Sequence, residues 1–362
     1  MKKFPSTLSN KLKERQENDA LRGLMKADGM VDFYSNDYLG VAKLSFETEG
    51  LFGSTGSRLI SGNSSRTEEI EKELAQFFHQ ESALLFNSGY DANLGLFSAV
   101  PLKGDTVIYD ALIHASIRDG IRMSLANSYA FAHNDVEQMK EKLARAKGTV
   151  YVVVESIYSM DGDQAPVEEI LHVCEMAGAY LIVDEAHAGG VLGDDGEGLC
   201  TEIGIDDRIF AKVVTFGKAF GSHGAVVLGA LDLKTYLINF ARSLIYTTAL
   251  SPHAQERIIT VVNAVSDLDA ERYQLERNIT IFKSSFSQSE FKLIESNSPI
   301  QSVLIPGNSN AKMLAKKVQD AGFAVKAILS PTVAKGEERL RICLHSYNTE
   351  KEIIELTNTI NG

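Results

Sequence analysis

The chain has 362 residues, 44% of them hydrophobic, and a formal net charge of −12. This length predicts roughly two domains around a substantial core. The acidic balance and the lack of a basic stripe argue against nucleic acid and anionic membrane as partners, because both bind clustered Lys and Arg. No apolar run is long enough to span a membrane, and the first eight residues lack the apolar segment of a secretion signal. Three cysteines without a C-x-x-C pair are typical of a reducing compartment, so we expect a cytoplasmic protein. The histidines form no H-E-x-x-H pair, and no metal site is expected.

The N-terminal part of the chain predicts a helix over 7–25, a strand over 31–35, a Gly/Ser-rich loop over 53–65 and a helix over 67–78. Six short apolar runs follow, at 82–86, 106–109, 149–154, 179–183, 212–216 and 224–230. Helix-length segments separate most of them, near 90–100, 114–125, 135–146 and 166–177. This alternation predicts βαβ units and a mostly parallel α/β sheet. Only a short turn separates the last two runs, which predicts one antiparallel strand.

A long helical stretch over 251–285 follows the sheet. The tail then alternates strand patterns at 300–305 and 339–344 with helix patterns at 309–321 and 349–360. We expect an N-terminal segment over 1–45, a large domain over 46–265 and a smaller α/β domain over 266–362.

Lys218 follows the apolar run Val213–Phe216 and lies between Gly217 and Gly221. The run predicts a buried strand and the glycines predict the turn that ends it. An amine at that edge of an α/β sheet lies where ligands usually bind, and partial desolvation would make it a nucleophile. A solvated surface lysine is the alternative, and Lys218 alone does not exclude it.

The segment Asp184-Glu185-Ala186-His187 follows another apolar run. An Asp at the end of a strand points into the ligand crevice or simply caps a turn. The motif Asp-Glu-Ala-His also suggests a nucleotide hydrolase, but that activity needs a P-loop. Gly217-Lys218 is followed by Ala219 instead of Ser or Thr, so no P-loop is present there.

Three weaker candidates also follow predicted strands. The Ser88-Gly89-Tyr90 turn opens a helix whose N-terminus suits a phosphate, although an ordinary serine N-cap explains it equally well. His114 and Ser159 follow two further strands. Because all these strand ends meet at one crevice, they bring together an amine, a carboxylate, imidazoles and a phosphate site. This combination matches the needs of pyridoxal phosphate.

Seven segments in this order resemble the α-oxoamine synthases, which are fold-type-I pyridoxal-phosphate transferases that join an amino acid to an acyl thioester and release CO₂. The matching segments are 35–40, 131–136, 159–163, 183–187, 214–218, 240–242 and 245–246. The resemblance covers essentially the whole chain. It implies a large, mostly parallel, seven-stranded-type sheet domain, a smaller C-terminal α/β domain and a homodimer with the active site at its interface.

The resemblance also implies roles by position. Lys218 would hold the cofactor as a Schiff base and move the α-proton, Asp184 would face the ring nitrogen, His114 would stack on the ring and His187 would meet its phenolic oxygen. The other implied cofactor contacts are Ser88, Gly89, Tyr90, Ser159, Thr215 and, from the partner subunit, Thr248. The implied substrate contacts are Asn36, Arg22 and Arg341, with Arg339 as the rival of Arg341 for the substrate carboxylate.

The implied substrates are L-alanine and a pimeloyl thioester of CoA or of an acyl carrier protein. A sister activity uses glycine and acetyl-CoA, and a non-catalytic cofactor-binding module is a third possibility. The chain departs from its relatives at Thr67, where a His is common, and at Leu329-Ser330, where an Arg is common. Both departures concern the acyl pocket more than the cofactor site.

Overall fold

The computed structural model describes residues 4–287 and 289–362. The chain folds into two compact units. The larger consists of Asn36–Ser159 and Gln164–Arg272, and the smaller consists of the chain up to Ser35, Met160–Asp163 and Tyr273–Gly362. The predicted boundaries at 45 and 265 stay a prediction. Part of the N-terminal segment considered for a secretion signal, residues 1–3, lies outside the described residues.

The strands of the described residues are short and are distributed over both units. In chain order they are β1 (Val31–Asp32), β2 (Ser82–Phe86), β3 (Thr106–Asp110), β4 (Asn127–Phe131), β5 (Val150–Glu155), β6 (Tyr180–Asp184), β7 (Ala211–Thr215), β8 (Ala225–Gly229), β9 (Ile300–Leu304), β10 (Phe323–Ala324), β11 (Lys326–Ile328) and β12 (Arg339–Cys343).

The α-helices of the same residues cover both units, and a 3₁₀ turn lies at Val41–Lys43. The helices are α1 (Ser6–Glu17), α2 (Ser65–Phe77), α3 (Gly89–Ala99), α4 (Ala115–Met123), α5 (Val136–Leu143), α6 (Val167–Ala177), α7 (Leu199–Glu202), α8 (Leu231–Phe240), α9 (Arg242–Ile245), α10 (Pro252–Val265), α11 (Asp269–Phe286), α12 (Asn308–Asp320) and α13 (Glu350–Asn361).

The larger unit contains a sheet of seven described strands in the order β2-β8-β7-β6-β5-β3-β4. Strand β8 is antiparallel to both neighbours, and the remaining pairs are parallel. Because β8 is reversed against β2 and β7 alike, β2 points the same way as the parallel strands. Strands β5, β6 and β7 are almost entirely buried, as expected of parallel strands covered on both faces. The predicted mostly parallel sheet with one antiparallel strand is confirmed.

The smaller unit contains a three-stranded antiparallel sheet in the order β11-β12-β9 and a parallel pair of β1 with β10. In its register Arg341 of β12 lies opposite Lys326 of β11 and Ser302 of β9. These residues therefore share one face of the small sheet.

The observed elements differ from the predicted ones at several places. Helix α1 ends at Glu17 instead of residue 25, and Asp19 has a left-handed φ of 52°, which a continuing helix does not allow. The stretch predicted over 251–285 is two helices, α10 and α11, with a break at 266–268. Strand β4 was not predicted, because four of its five residues are exposed and it lacks an apolar run.

Among the described residues, no helix combines the length and the hydropathy of a membrane span.

Candidate active site

The predicted site residues of the larger unit lie at one edge of its sheet. Asp184 is the last residue of β6, and Lys218 follows β7. Ser88 and His114 are the N-caps of α3 and α4, and Ser159 follows β5. Because β2, β3, β5, β6 and β7 run in one direction, their carboxyl ends meet at this edge. The predicted convergence is confirmed for these positions.

Asp184 is a buried carboxylate with 5% of its surface exposed. Its Oδ2 accepts a hydrogen bond from Nδ2 of Asn93 at 2.7 Å, and its Oδ1 accepts one from the backbone N–H of Ala186 at 2.9 Å. A buried charge requires such donors. The bonds fix the carboxylate at the end of β6.

Lys218 lies in a tight turn between β7 and β8. The backbone N–H of Gly221 donates to the Lys218 carbonyl at 2.8 Å, and the N–H of Ser222 donates to Phe216 at 2.8 Å. Gly221 has a left-handed φ of 56°, which explains the glycine at this position. The side chain of Lys218 is half-buried, and its charge lowers the pKa values of both His114 and Glu155. The amine therefore lies near both groups and is not a solvated surface lysine.

His114 begins α4 and uses its ring as the cap. Its Nδ1 lies 2.7 Å from Oγ of Ser116 and 3.3 Å from the backbone N of the same residue. Burial lowers the pKa of His114, the charge of Asp184 raises it and the charge of Lys218 lowers it, with a net decrease. The imidazole is therefore neutral near pH 7 and lies within electrostatic reach of both Asp184 and Lys218.

Glu155 is a site residue that the sequence analysis missed. It ends β5, is 3% exposed and accepts the backbone N–H of His114 at 2.5 Å. Burial and the charge of Asp184 raise its pKa to about 8, although Lys218 and the His114 bond act in the opposite direction. Its position at a strand end, like that of Asp184, was the signal that could have revealed it.

The N-terminus of α3 faces the same edge of the sheet. Ser88 is an N-cap, because its hydroxyl accepts the backbone N–H of Asp91 at 3.1 Å. The alternative of an ordinary serine N-cap therefore holds for this residue. A methyl group built on Gly89 would lie 3.4 Å from Thr215, the last residue of β7. Tyr90 is exposed and donates to Asp119 at 2.5 Å. The backbone N–H groups and the positive dipole end of α3 suit an anion.

Tyr38, for which no role was predicted, links His187 to Asn36, a predicted substrate contact. The fully buried Tyr38 places its hydroxyl 2.7 Å from Nδ1 of His187 and 3.1 Å from Oδ1 of Asn36. Asn36 is half-buried. Tyr38 therefore holds the histidine and the asparagine in one hydrogen-bonded group.

The remaining predicted positions of the larger unit are Ser159 and Thr248. Ser159 is half-buried at the turn after Tyr158, whose ring meets His133 at 4.4 Å. Thr248 is exposed, and its carbonyl accepts a bond from Nδ2 of Asn87 at 2.7 Å.

Arg22, Arg339 and Arg341 belong to the smaller unit. Arg22 is exposed and donates from Nη2 to Thr332 Oγ1 at 3.1 Å. Arg339 is 4% exposed and forms an ion pair with Asp161. Arg341 is half-buried and donates to the sulfur of Cys343 at 2.9 Å. Arg339, the rival for the substrate carboxylate, therefore already binds a carboxylate of its own unit.

The two departures from the family pattern have separate structural settings. Thr67 is 1% exposed, and its hydroxyl donates to Gln255 at 2.6 Å in the larger unit. Ser330 of the smaller unit receives a bond from Asn308 Nδ2 at 3.4 Å and donates its own backbone N–H to Asn308 Oδ1 at 2.9 Å.

The fold and the strand-end cluster define a fold-type-I transferase of the pyridoxal-phosphate-dependent type. A family model, described as aminotransferase class I and II, matches residues 28–360. The chain belongs to this family, and the predicted fold class, enzyme class and cofactor are confirmed.

Individual proteins of the family are similar to this chain over most of its length. The 8-amino-7-oxononanoate synthase of Emericella nidulans is 39% identical over 98% of this chain and 94% of its own length. The solved 8-amino-7-oxononanoate synthase of Francisella tularensis superposes with a TM-score of 0.81 at 30% identity, covering 92% of this chain and 97% of its own. The serine palmitoyltransferase of S. paucimobilis, solved with a bound PLP–myriocin aldimine, superposes with a TM-score of 0.89 at 26% identity, covering 98% and 96%.

Proposed function

We propose that this protein condenses L-alanine with a pimeloyl thioester and releases 8-amino-7-oxononanoate, CO₂ and a free thiol, a step of biotin synthesis. The observation that carries the proposal is that Lys218, Asp184 and His114 lie at one edge of the sheet, where the charges of Asp184 and Lys218 shift the pKa of His114. The similarity to 8-amino-7-oxononanoate synthases over nearly the whole chain supports the choice of reaction.

The residues of the larger unit fit pyridoxal phosphate. Once bound, the cofactor supplies an aldehyde that condenses with amines and a protonated ring that accepts negative charge from the substrate. The Lys218 amine would hold the aldehyde carbon of the cofactor and would remove the α-proton of alanine. Asp184, whose carboxylate is already fixed by two donors, would keep a proton on the ring nitrogen.

The other roles follow the arrangement of the crevice. His114 would lie against the ring face as a neutral imidazole, and His187 would face the phenolic oxygen. The phosphate would bind at the N-terminus of α3, where the backbone of Ser88, Gly89 and Tyr90 presents free N–H groups. Ser159 and Thr215 would complete this cofactor shell, together with Thr248 of a second copy.

Three residues would receive the substrates. Arg341 would bind the carboxylate of alanine with its guanidinium fork, and the ion pair of Arg339 with Asp161 argues against that rival. Asn36, held by Tyr38 beside His187, would contact the same amino acid. Arg22 would meet the acyl donor.

A cavity in the smaller unit supports an extended acyl donor. It has a volume of about 870 Å³ and is lined by Leu21, Leu24, Ile328 and Leu329 together with Arg22, Lys326 and other side chains. Within residues 4–287 and 289–362, no carboxylate lies within ion-pair distance of Arg22 or Lys326. An apolar wall with cations that have no carboxylate partner suits an aliphatic chain that carries anionic groups, such as a pimeloyl thioester. An acetyl group alone would leave most of this space unused.

We also propose that the protein acts as a homodimer. In the larger unit, Leu51 (73%) and Phe52 (85%) just before the Gly/Ser-rich loop and Ile60 (83%) within it are exposed, and Tyr246 near Thr248 is 72% exposed. Large exposed apolar side chains mark interaction surfaces, and a second copy would cover them while supplying Thr248. Light scattering of the purified protein tests this directly, since a monomer at micromolar concentration would contradict it.

The proposed reaction is tested by a steady-state assay of four substrate pairs. Alanine or glycine is combined with pimeloyl-CoA or acetyl-CoA, and alanine with pimeloyl carrier protein is added as a fifth pair. We expect turnover to be highest with alanine and one of the pimeloyl thioesters. Robust turnover with glycine and acetyl-CoA alone would reject the proposal in favour of the sister activity.

A further inference from the structure

Asn93 is a buried amide of α3 that lies between two predicted cofactor contacts. It is 3% exposed, and its Nδ2 lies 2.7 Å from Oδ2 of Asp184 and 3.1 Å from Oγ of Ser116. An ionised carboxylate only accepts hydrogen bonds, so the nitrogen of the amide must face Asp184. The charge of Asp184 thereby fixes which way the Asn93 amide points.

The direction of the next bond follows from the first. The two protons of Asn93 Nδ2 serve Asp184 and Ser116, so the Ser116 oxygen accepts. The hydroxyl proton of Ser116 is then free to point at His114 Nδ1, 2.7 Å away, where the backbone N–H of Ser116 also points from 3.3 Å. Two donors aimed at Nδ1 make that atom an acceptor, and the ring proton of the neutral imidazole must be on Nε2.

We infer that Asn93 is a positioning residue that, through Ser116, couples Asp184 to His114 and holds His114 as the neutral Nε2–H tautomer. The inference rests on the proposed function. In that function Asp184 contacts the ring nitrogen of the cofactor and His114 contacts the ring face, so the hydrogen-bonded link would join two cofactor contacts. One buried amide would thus orient the carboxylate proposed for the ring nitrogen and set the hydrogen-bonding state of the imidazole proposed for the ring face.

The tautomer is measured by ¹⁵N NMR of the full-length protein with ring-labelled histidine, with and without added pyridoxal phosphate. His114→Gln assigns the resonances. We expect the wild-type protein to show an unprotonated Nδ1 and a protonated Nε2 in both forms. In Ser116→Ala and Asn93→Leu the Nδ1 resonance should move and Nδ1–H population should appear. Ser124→Ala is the matched control, because Ser124 also lies at α4 but donates to the Ile121 carbonyl at 2.7 Å, and it should leave His114 unchanged.

Cofactor affinity gives the second measurement. Asn93→Leu removes a donor to a charged group, so we expect pyridoxal phosphate to bind about tenfold more weakly or worse, with a smaller loss in Ser116→Ala. If Asn93→Leu does not fold, the tautomer of the wild-type protein and the effect of Ser116→Ala are sufficient to test the inference. A protonated Nδ1 in the wild type, or a His114 resonance unmoved by Ser116→Ala, overturns the inference.

The two proposals fail in different ways. A protein with the expected tautomer that takes up no pyridoxal phosphate would reject the proposed function and leave the hydrogen-bonded link intact. A protein that binds the cofactor through Lys218 but has its His114 proton on Nδ1 would reject the link alone.

Discussion

Glu155 accepts the backbone N–H of His114 at 2.5 Å, so the last residue of β5 fixes the first turn of α4. The bond joins a buried acid to a residue that we place against the cofactor. The pairing of β5 with β6 places Glu155 opposite Asp184, whose charge contributes to raising the pKa of Glu155 to about 8. The structure thus holds a titratable group whose charge changes near physiological pH.

This pKa predicts how stability depends on pH. An ordinary glutamate ionises near 4.5, so between that pH and about 8 the folded protein holds a proton that the unfolded chain releases. The unfolding free energy therefore falls as pH rises through this range. Glu155→Gln, which keeps an acceptor for His114 and does not titrate, should reduce the fall by at least about 1 kcal/mol.

The measurement is chemical unfolding of the cofactor-free protein at about pH 5 and about pH 8, the two ends of the range in which the folded protein holds this proton and the unfolded chain has released it. Glu14→Gln, at an exposed position of α1, controls for the loss of one carboxylate. An equal pH dependence in Glu155→Gln and the wild type would show that Glu155 does not titrate in this window.

A buried ion cluster behind the site predicts a second effect. Lys212 of β7 is fully buried, and its Nζ lies 2.6 Å from Asp206 and 3.8 Å from Glu185, the residue after Asp184. Lys212→Met leaves a buried acid without its cation and should cost about 3–5 kcal/mol. Adding Glu185→Gln should recover part of that loss, because the amide can still accept the backbone N–H of Cys200.

Denaturant unfolding of both variants measures this effect. Lys140→Met removes an exposed pair with Glu137 and should change stability by less than about 1 kcal/mol. If Lys212→Met costs no more than this control, the buried cluster does not stabilise the strand end.

The arginines of the smaller unit predict distinct kinetic effects. Arg341→Gln should raise the KM for alanine about 100-fold with little change in the KM for the thioester, because a charge-assisted fork is lost. Arg22→Gln should have the reverse selectivity. Arg339→Gln should mainly lower the unfolding free energy, since it breaks the pair with Asp161. A selective alanine defect in Arg339→Gln with none in Arg341→Gln would exchange their roles.

The sequence was sufficient for the parallel sheet and for the strand-end positions of Asp184, Lys218 and His114, because buried strands leave continuous apolar runs and ligands collect where they end. It could not reveal Asn93, Ser116 or Tyr38. Asn93 and Ser116 lie within helical patterns, and Tyr38 lies in the segment 35–40, where the resemblance implied a role only for Asn36. Only the packing of these three side chains against distant residues gives them a function. Strand β4 was missed for the related reason that its residues are mostly exposed.

The central claim is that Lys218 carries the cofactor. Borohydride reduction of the purified holoprotein, followed by peptide mass spectrometry, tests it most directly, with Lys218→Ala as the matched variant. We predict loss of the visible absorption band on reduction and a pyridoxyl group on the peptide that contains Lys218, with neither in the variant. A wild-type protein that takes up no pyridoxal phosphate, or that carries the reduced cofactor on another lysine, would contradict the account.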